Sequence, residues 1–196
     1  MNWTKALSIF FFLVAIGLGY FLYNSISSKI ETEAQIERIE RSVIEKLKMI
    51  RKAEIAYQAV NGQYTSDWDK LISFIDTGRM YITQRSEEII PLSYGRDSVI
   101  ITIDTLDTVP VRDTLFNSTE YPNFNVERLP FIPGSNGKKF DIYADKITKG
   151  GVMVDVIEVK DVDPINPART EESEAANRKP LRFGSRTDVT TSGNWE

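Results

Sequence analysis

The sequence contains no cysteine and no histidine among its 196 residues. Without cysteine the chain forms no disulfide, holds no thiolate metal site and has no cysteine nucleophile. Without histidine it lacks the commonest general base and transition-metal ligand, so no Ser-His-Asp triad can be built from it. A cationic surplus is also missing, because the formal net charge is −4. This charge argues against nucleic-acid binding, and no cofactor or metal is predicted.

Charge is absent from one long run, ALSIFFFLVAIGLGYFLY, which extends over eighteen residues from Ala6 to Tyr23. As a helix the run measures roughly 27 Å, enough to cross the hydrocarbon core of a bilayer. It has no polar face, which a helix packed in a soluble core would normally show. Trp3, Tyr20 and Tyr23 lie near its ends, where such rings favour the membrane interface. We therefore predict a transmembrane helix over residues 6–23, with membrane lipid as a partner.

Positive charge near the N-terminus, from Lys5 and the amino group, predicts a cytoplasmic segment over residues 1–5. The remainder would then be a periplasmic domain on a single-pass inner-membrane protein. A cleaved signal peptide is the alternative, and it would release a soluble secreted binding module. The apolar run is longer than usual for a signal peptide, and Ser25-Ile26-Ser27 is a poor cleavage site. We therefore favour an uncleaved signal anchor.

The segment from Ile30 to Val60 has the pattern of a long amphipathic helix. Apolar residues recur every seven positions, with others three or four positions away. The heptad residues, which are the candidates for protein–protein interaction, are Ile36, Val43, Ile50 and Tyr57. The pattern predicts a stalk helix over residues 24–47. Its stripe would pack on the chain's own sheet, or would pair with other chains as a coiled coil that supports self-association through the N-terminal helix.

After this helix the sequence predicts a helix end and then the start of a second helix. Asn61-Gly62 is a typical helix C-terminus, because both residues tolerate left-handed geometry. Thr65 or Ser66 is expected to cap a second short helix, and Ser66 with Asp69 fits the capping-box pattern. That helix is expected to end at Asp76-Thr77-Gly78.

The stretch AEIAYQAVNGQYTSDWDKLISFI, from Ala53 to Ile75, follows an apolar and then an amphipathic helix. With an apolar helix, an amphipathic helix and then this stretch, the first eighty or so residues resemble a type IV pilin or pseudopilin. The resemblance implies a bitopic membrane protein with a stalk and a head. The Gly-Phe-Thr-Leu prepilin cleavage site and the acidic residue inside the apolar helix are absent. What the resemblance implies is therefore the architecture and not processing by a prepilin peptidase.

From Arg79 onward the apolar period changes to two, which is typical of strands. Strands are predicted over Met80–Thr83, Ser98–Leu106, Val109–Phe116, Phe124–Leu129, Lys139–Lys146 and Val152–Val159. Gly150-Gly151 predicts the hairpin turn between the last two. The fold class is therefore α+β, with the long N-terminal helix packed on an antiparallel sheet in a head over residues 48–160. Residues 161–196 are predicted to form an extended tail. Its end is either an anchor, with Trp195 docked on this chain or on a neighbour, or a strand end followed by a frayed terminus.

Few residues offer chemistry. Ser135 to Lys138 matches S-x-x-K, but it lies in a Pro-Gly turn without the partner motifs of the serine–lysine enzymes, so chance is the favoured explanation. The chain's aspartate-rich stretch, Asp97 to Asp113, does not fit the EF-hand spacing. It contains Asp-Ser/Thr-aliphatic triplets that resemble acceptors of periplasmic O-glycosylation. The candidate acceptor residues are Ser98, Thr105, Thr108 and Thr114.

The favoured function is a structural or interaction subunit of a bacterial cell-envelope assembly that binds other protein subunits and is not an enzyme. The alternative is an envelope enzyme that acts on glycan through two carboxylates at a fixed separation. No pair of acidic residues in the sequence stands out for that role.

Overall fold

The computed structural model describes residues 3–91 and 97–196. The chain divides between Ser42 and Val43 into two compact units. The fold is mixed α and β, with a long helix and antiparallel sheets, as predicted. The elements are α1 (Trp3–Asn61), α2 (Trp68–Thr77), β1 (Arg79–Pro91), β2 (Asp97–Pro110), α3 (Val111–Leu115), β3 (Asp141–Lys149), β4 (Val152–Lys160) and β5 (Arg182–Gly184). Single 3-10 turns lie at Val126–Arg128 and Ala176–Arg178.

The core of the second unit is built on one face of α1. Val43, Leu47 and Ile50 are at most 2% exposed, and their spacing of four and three residues keeps them on one face of the helix. The remaining core side chains include Leu71 and Ile75 of α2, Val156, Ile157 and Val159 of β4, and Phe183 of β5. Val43 and Ile50 therefore pack inside their own chain.

A three-stranded antiparallel sheet in the order β3-β4-β5 carries much of this core. Its β3–β4 hairpin turns at Gly150-Gly151, as predicted, and both glycines have positive φ. The third strand comes from residues 161–196, where Phe183 pairs with Val159. At Gly184 φ is +81°, and a Cβ there would overlap the carbonyl oxygen of Ile157. The turn out of β5 thus requires glycine.

The second sheet is a two-stranded antiparallel ribbon of β1 and β2. The strand predicted at Met80–Thr83 is the start of the thirteen-residue β1. The strand predicted at Ser98–Leu106 lies within β2, which continues to Pro110. Ile82 pairs with Asp107 and Thr83 pairs with Thr105, so Leu106 is the extra residue of a β-bulge.

The strand predicted over Val109–Phe116 is wrong. Pro110 has no N–H for a sheet ladder, and its fixed φ of −60° suits the residue before a helix, so the chain turns into α3. The hydroxyl of Thr114 donates to the carbonyl of Pro110 at 2.9 Å. The amide of Val111 donates to Gly78 O at 3.0 Å, which closes the base of the ribbon.

The strand predicted over Phe124–Leu129 is also wrong. Asn125 caps the 3-10 turn there, and its side-chain oxygen accepts from the amide of Glu127 at 2.9 Å. The ring of Phe124 stacks on that of Phe116 with 4.2 Å between centroids. A local Asn cap and an aromatic contact thus override a short apolar alternation.

The predicted ends of the first two helices are confirmed, and the predicted cap is corrected. α1 ends at Asn61 with Gly62 at φ +75°, and α2 ends at Thr77. The N-cap of α2 is neither Thr65 nor Ser66, but Asp67, whose carboxylate accepts from the amide of Asp69 at 2.9 Å. Thr65 instead accepts from the amide of Asp67 at 3.1 Å.

Candidate interaction surfaces

The first unit exposes an apolar surface along α1. Every side chain that the structure describes between Leu7 and Tyr23 is exposed, and the large apolar ones range from 40% at Val14 to 73% at Tyr20 and Tyr23. Exposed apolar area of this extent marks an interaction surface. Within the described part of the chain, no helix meets the length and hydropathy that a bilayer span requires.

The four heptad candidates occupy different environments. Ile36 is half-buried in the first unit, whereas Val43 and Ile50 are buried in the second. Tyr57 is half-buried, and its ring meets that of Phe74 edge to face with 5.2 Å between centroids. Val43, Ile50 and Tyr57 therefore stabilise the second unit from within, and Ile36 is the heptad residue outside that core.

One buried carboxyl, Glu54, continues the apolar stripe of α1 and is 0% exposed. Its Oε2 accepts from the amide of Thr65 at 3.2 Å, which ties the end of α1 to the loop before α2. Its Oε1 is buried and, among the described residues, has no hydrogen-bond partner. Burial raises the pKa of Glu54 to about 8, against a smaller lowering by the Thr65 amide. The side chain is therefore mainly protonated at neutral pH.

The sequence prediction missed Glu54 as a site residue. The signal was present, because Glu54 follows Val43, Leu47 and Ile50 at intervals of four, three and four. A carboxylate at such a position is expected to be buried, and burial disfavours its charged form.

The side chain of Trp195 docks on α1. The guanidinium of Arg51 lies 5.9 Å from the centroid of its ring. Arg51 also donates to Glu196 Oε1 at 2.7 Å and to Thr191 O at 3.1 Å. This contact lowers the pKa of Glu196. Of the two locations predicted for this anchor, the structure places Trp195 on its own chain.

A second charged cluster lies on β4 and β5 and lines an open depression of about 460 Å³. Glu158 is 8% exposed and accepts from Arg186 Nε at 2.7 Å. Arg186 also contacts Asp141 at 3.1 Å, and its guanidinium lies 4.6 Å from the ring centroid of Tyr143. Hydrogen bonding to Glu158 raises the pKa of Arg186. Two further cations line the depression, Lys160 and Arg182, and they contact Glu171 at 3.0 Å and 3.7 Å. Because three carboxylates thus balance the three cations, the cluster stabilises the sheet and is not suited to binding an anion.

A polar cavity of about 380 Å³ lies between the loop before α2 and the β3–β4 hairpin. Tyr64 and Asp155 line it, and Lys146 contacts Asp155 at 3.7 Å. Burial raises the pKa of Tyr64, and so do the charge of Asp155 and, at the alkaline pH where Tyr64 titrates, the charge of Glu54. In the described residues, no cluster of three or more acidic side chains could hold a metal ion.

The predicted acceptor residues for glycosylation lie along β2 and α3. Thr105 and Thr114 are exposed, although the Thr114 hydroxyl is hydrogen-bonded within its helix. Thr108 is half-buried, and its hydroxyl accepts from Arg79 Nε at 3.2 Å. Ser98 lies in β2, and its side chain falls outside the described part of the structure.

The S-x-x-K residues form no catalytic pair. The hydroxyl of Ser135 donates to Ile132 O at 2.9 Å. Lys138 forms an ion pair with Asp163 at 2.8 Å.

Comparison with known proteins provides no family name: no protein-family model, no curated protein and no solved structure matches this chain.

Proposed function

We propose that the protein is a single-pass inner-membrane subunit of a bacterial cell-envelope assembly, with a pilin-like head in the periplasm. The observation that carries the proposal is the run from Ala6 to Tyr23, which has no charged residue and whose described side chains are exposed. Water is a poor solvent for so much apolar surface, whereas lipid or an apolar partner would cover it.

Two features of α1 support packing of this run against other membrane helices. Gly17 and Gly19 carry no side chain, so each leaves a gap in the helix surface, and their spacing of two residues places the two gaps on different faces. Small residues allow the backbones of membrane helices to approach closely. Phe10 and Phe11, at 59% and 60% exposure, supply apolar surface. The run could thus serve both as an anchor and as a contact with neighbouring subunits.

The segment that follows is suited to protein contacts outside the bilayer. Ile36 and Ile39 are half-buried and lie three residues apart, on one face of the helix. Charged side chains surround them, including the exposed Glu37–Arg41 ion pair at 2.7 Å. An apolar stripe between charges at this spacing is the pattern that pairs helices. The second unit, with its own core, would then act as the head.

Membrane attachment is tested by comparing two matched variants of the full chain. Leu13→Lys with Ile16→Lys places charges inside the run, at a cost of about 2.5–3.5 kcal/mol per residue at the centre of a span. We expect this variant to move from the alkali-resistant membrane fraction to the soluble fraction. Ile30→Lys, outside the run, is expected to stay with the membrane. Alkali extraction of the unsubstituted chain would contradict the anchor.

Topology is tested by labelling single cysteines, which is simple because the chain has none of its own. We expect Thr105→Cys to react with a membrane-impermeant maleimide in cells whose outer membrane is permeabilised. Asn2→Cys is expected to react only after the inner membrane is opened. The reverse pattern would contradict a periplasmic head. Co-purification of one stable complex in mild detergent would support the assembly role, whereas a lone monomer would argue against it.

A further inference from the structure

The β1–β2 ribbon has little cover where the structure describes its side chains. None of these described side chains is buried, and the helix that contacts the ribbon substantially is α3 at its base, where the amide of Val111 meets Gly78. The large apolar side chains that are exposed on it are Tyr81 at 63%, Ile82 at 43%, Ile101 at 49% and Leu106 at 61%. A two-stranded ribbon is marginally stable in water, and three or more strands are usually needed. A further strand would therefore stabilise it.

The two edges of the ribbon differ in their capacity to accept a strand. The β2 edge has a bulge at Leu106, which bends and twists a strand and hinders pairing. By sequence, β2 also contains three aspartates and no basic residue: Asp97, Asp104 and Asp107. Two β2 edges would therefore repel each other.

The β1 edge is continuous and carries charges of both signs. By sequence, Arg79 and Arg85 lie in its first part, and Glu87 and Glu88 follow in its second part. An antiparallel copy of the same strand runs in the opposite direction, so Arg85 and Glu87 of one copy can lie opposite Glu87 and Arg85 of the other. Opposite charges placed across neighbouring strands are stabilising. The β1 edge is thus complementary in charge to itself.

We propose that two copies of this chain pair through antiparallel β1 edges, in a register centred on Ser86. Each Arg85 then lies opposite Glu87 of the second copy, once on each side of the two-fold axis. The result is a four-stranded sheet in the order β2-β1-β1-β2. Tyr81 and Ile101 share a face of the ribbon by the observed register, so this face becomes continuous across both copies. The contact lies within the second unit and does not depend on membrane insertion.

Disulfide trapping tests this pairing. The chain has no cysteine of its own, so an introduced cysteine is the only thiol that can form a disulfide between two copies. Ser86→Cys places two sulfurs beside the two-fold axis, so mild oxidation of the full chain should give a covalent dimer on a non-reducing gel. Thr102→Cys is the matched control. Thr102 pairs with Ser86 inside the ribbon and, like Ser86, is exposed, but it lies on the outer strand. We expect this control to remain monomeric, and equal dimer formation by the two variants would overturn the proposal.

A charge exchange in the Ser86→Cys background tests the register. Arg85→Glu places like charges together at two symmetric positions, so we expect dimerisation roughly tenfold weaker. Adding Glu87→Arg should restore the yield, because the pairs are then reversed rather than removed. Unchanged trapping in the single variant, or no rescue in the double variant, would overturn the register. Circular dichroism checks that all variants fold.

This result is independent of the membrane proposal. If the chain is extracted by alkali but Ser86→Cys still forms the dimer, the anchor fails and the pairing stands. If the chain stays in the membrane but Ser86→Cys yields no dimer, the pairing fails and the anchor stands.

Discussion

The two sheets of the second unit differ in what covers them, although their strands have similar composition. β4 and β2 both mix Val and Ile with acidic residues. In β4, Val156 and Val159 are at most 1% exposed. In β2, Ile101 is 49% exposed, because among the described elements only α3 packs substantially on the ribbon, at its base. A strand's composition therefore permits burial, but the elements packed on it decide whether burial occurs.

The largest expected effect lies in the packed sheet. Phe183 is 0% exposed, so Phe183→Ala should lower the free energy of unfolding by about 3–5 kcal/mol through lost burial and a cavity. Ile101→Ala, in the ribbon, should change it by about 0.5 kcal/mol or less. Urea unfolding followed by circular dichroism measures both. Phe183→Leu serves as a milder variant, and equal effects in the two sheets would contradict the comparison.

The next largest effect concerns Glu54, the buried carboxyl that continues the apolar stripe of α1 in the core of the second unit. The pKa of Glu54 is raised from 4.5 to about 8 in the folded state, so the folded state holds its proton more tightly than the unfolded state. This stabilising contribution is fully present below pH 4.5 and is lost as the pH rises to about 8. Glu54→Gln should remove the dependence and raise stability at pH 7 by about 3 kcal/mol.

The measurement for Glu54 is urea unfolding at several pH values between 5 and 9, roughly the window in which carboxyl burial acts here. Asp104→Asn, in the exposed ribbon, is the matched loss of a carboxylate and should not raise stability at pH 7 as Glu54→Gln does. If the free energy of unfolding of Glu54→Gln changes with pH as steeply as that of the parent chain, a group other than Glu54 is responsible for the pH dependence.

A smaller effect is expected where Trp195 docks on α1. Trp195→Ala removes the ring beside Arg51 and should lower stability by about 1–2 kcal/mol, of which the cation–π contact accounts for about 0.5–1. Val189→Ala, at a residue 57% exposed in the same segment, should have almost no effect. Thermal unfolding compares the two. Similar melting temperatures for both variants would mean that the docked ring contributes little.

The smallest effect is predicted at the base of the ribbon, where Arg112 of α3 forms an ion pair with Asp76 of α2 at 2.8 Å. Both side chains are about half exposed, so the pair should contribute about 0.2–1 kcal/mol. A double-mutant cycle with Arg112→Ala and Asp76→Ala isolates that coupling. The coupling should shrink in high salt, and a salt-independent value would contradict a screened surface pair.

The sequence by itself determined the features that depend on short-range periodicity and on residue type. The long helix of Ile30 to Val60, its stop at Asn61-Gly62 and the hairpin at Gly150-Gly151 were predictable, because each follows from local backbone preferences. The absence of histidine and cysteine excluded whole classes of chemistry before any fold was known.

Tertiary structure decided what depends on distant partners. Pro110 ends a strand and starts α3 where the amide of Val111 meets Gly78, a contact between residues far apart in the chain. The predicted single sheet became two, because among the described strands β1 and β2 pair with each other alone, whereas β4 pairs with both β3 and β5. Glu54 became a buried, protonated carboxyl because the loop at Thr65 closes over it. Local sequence encodes how each segment can fold, whereas burial and pKa depend on which segments meet.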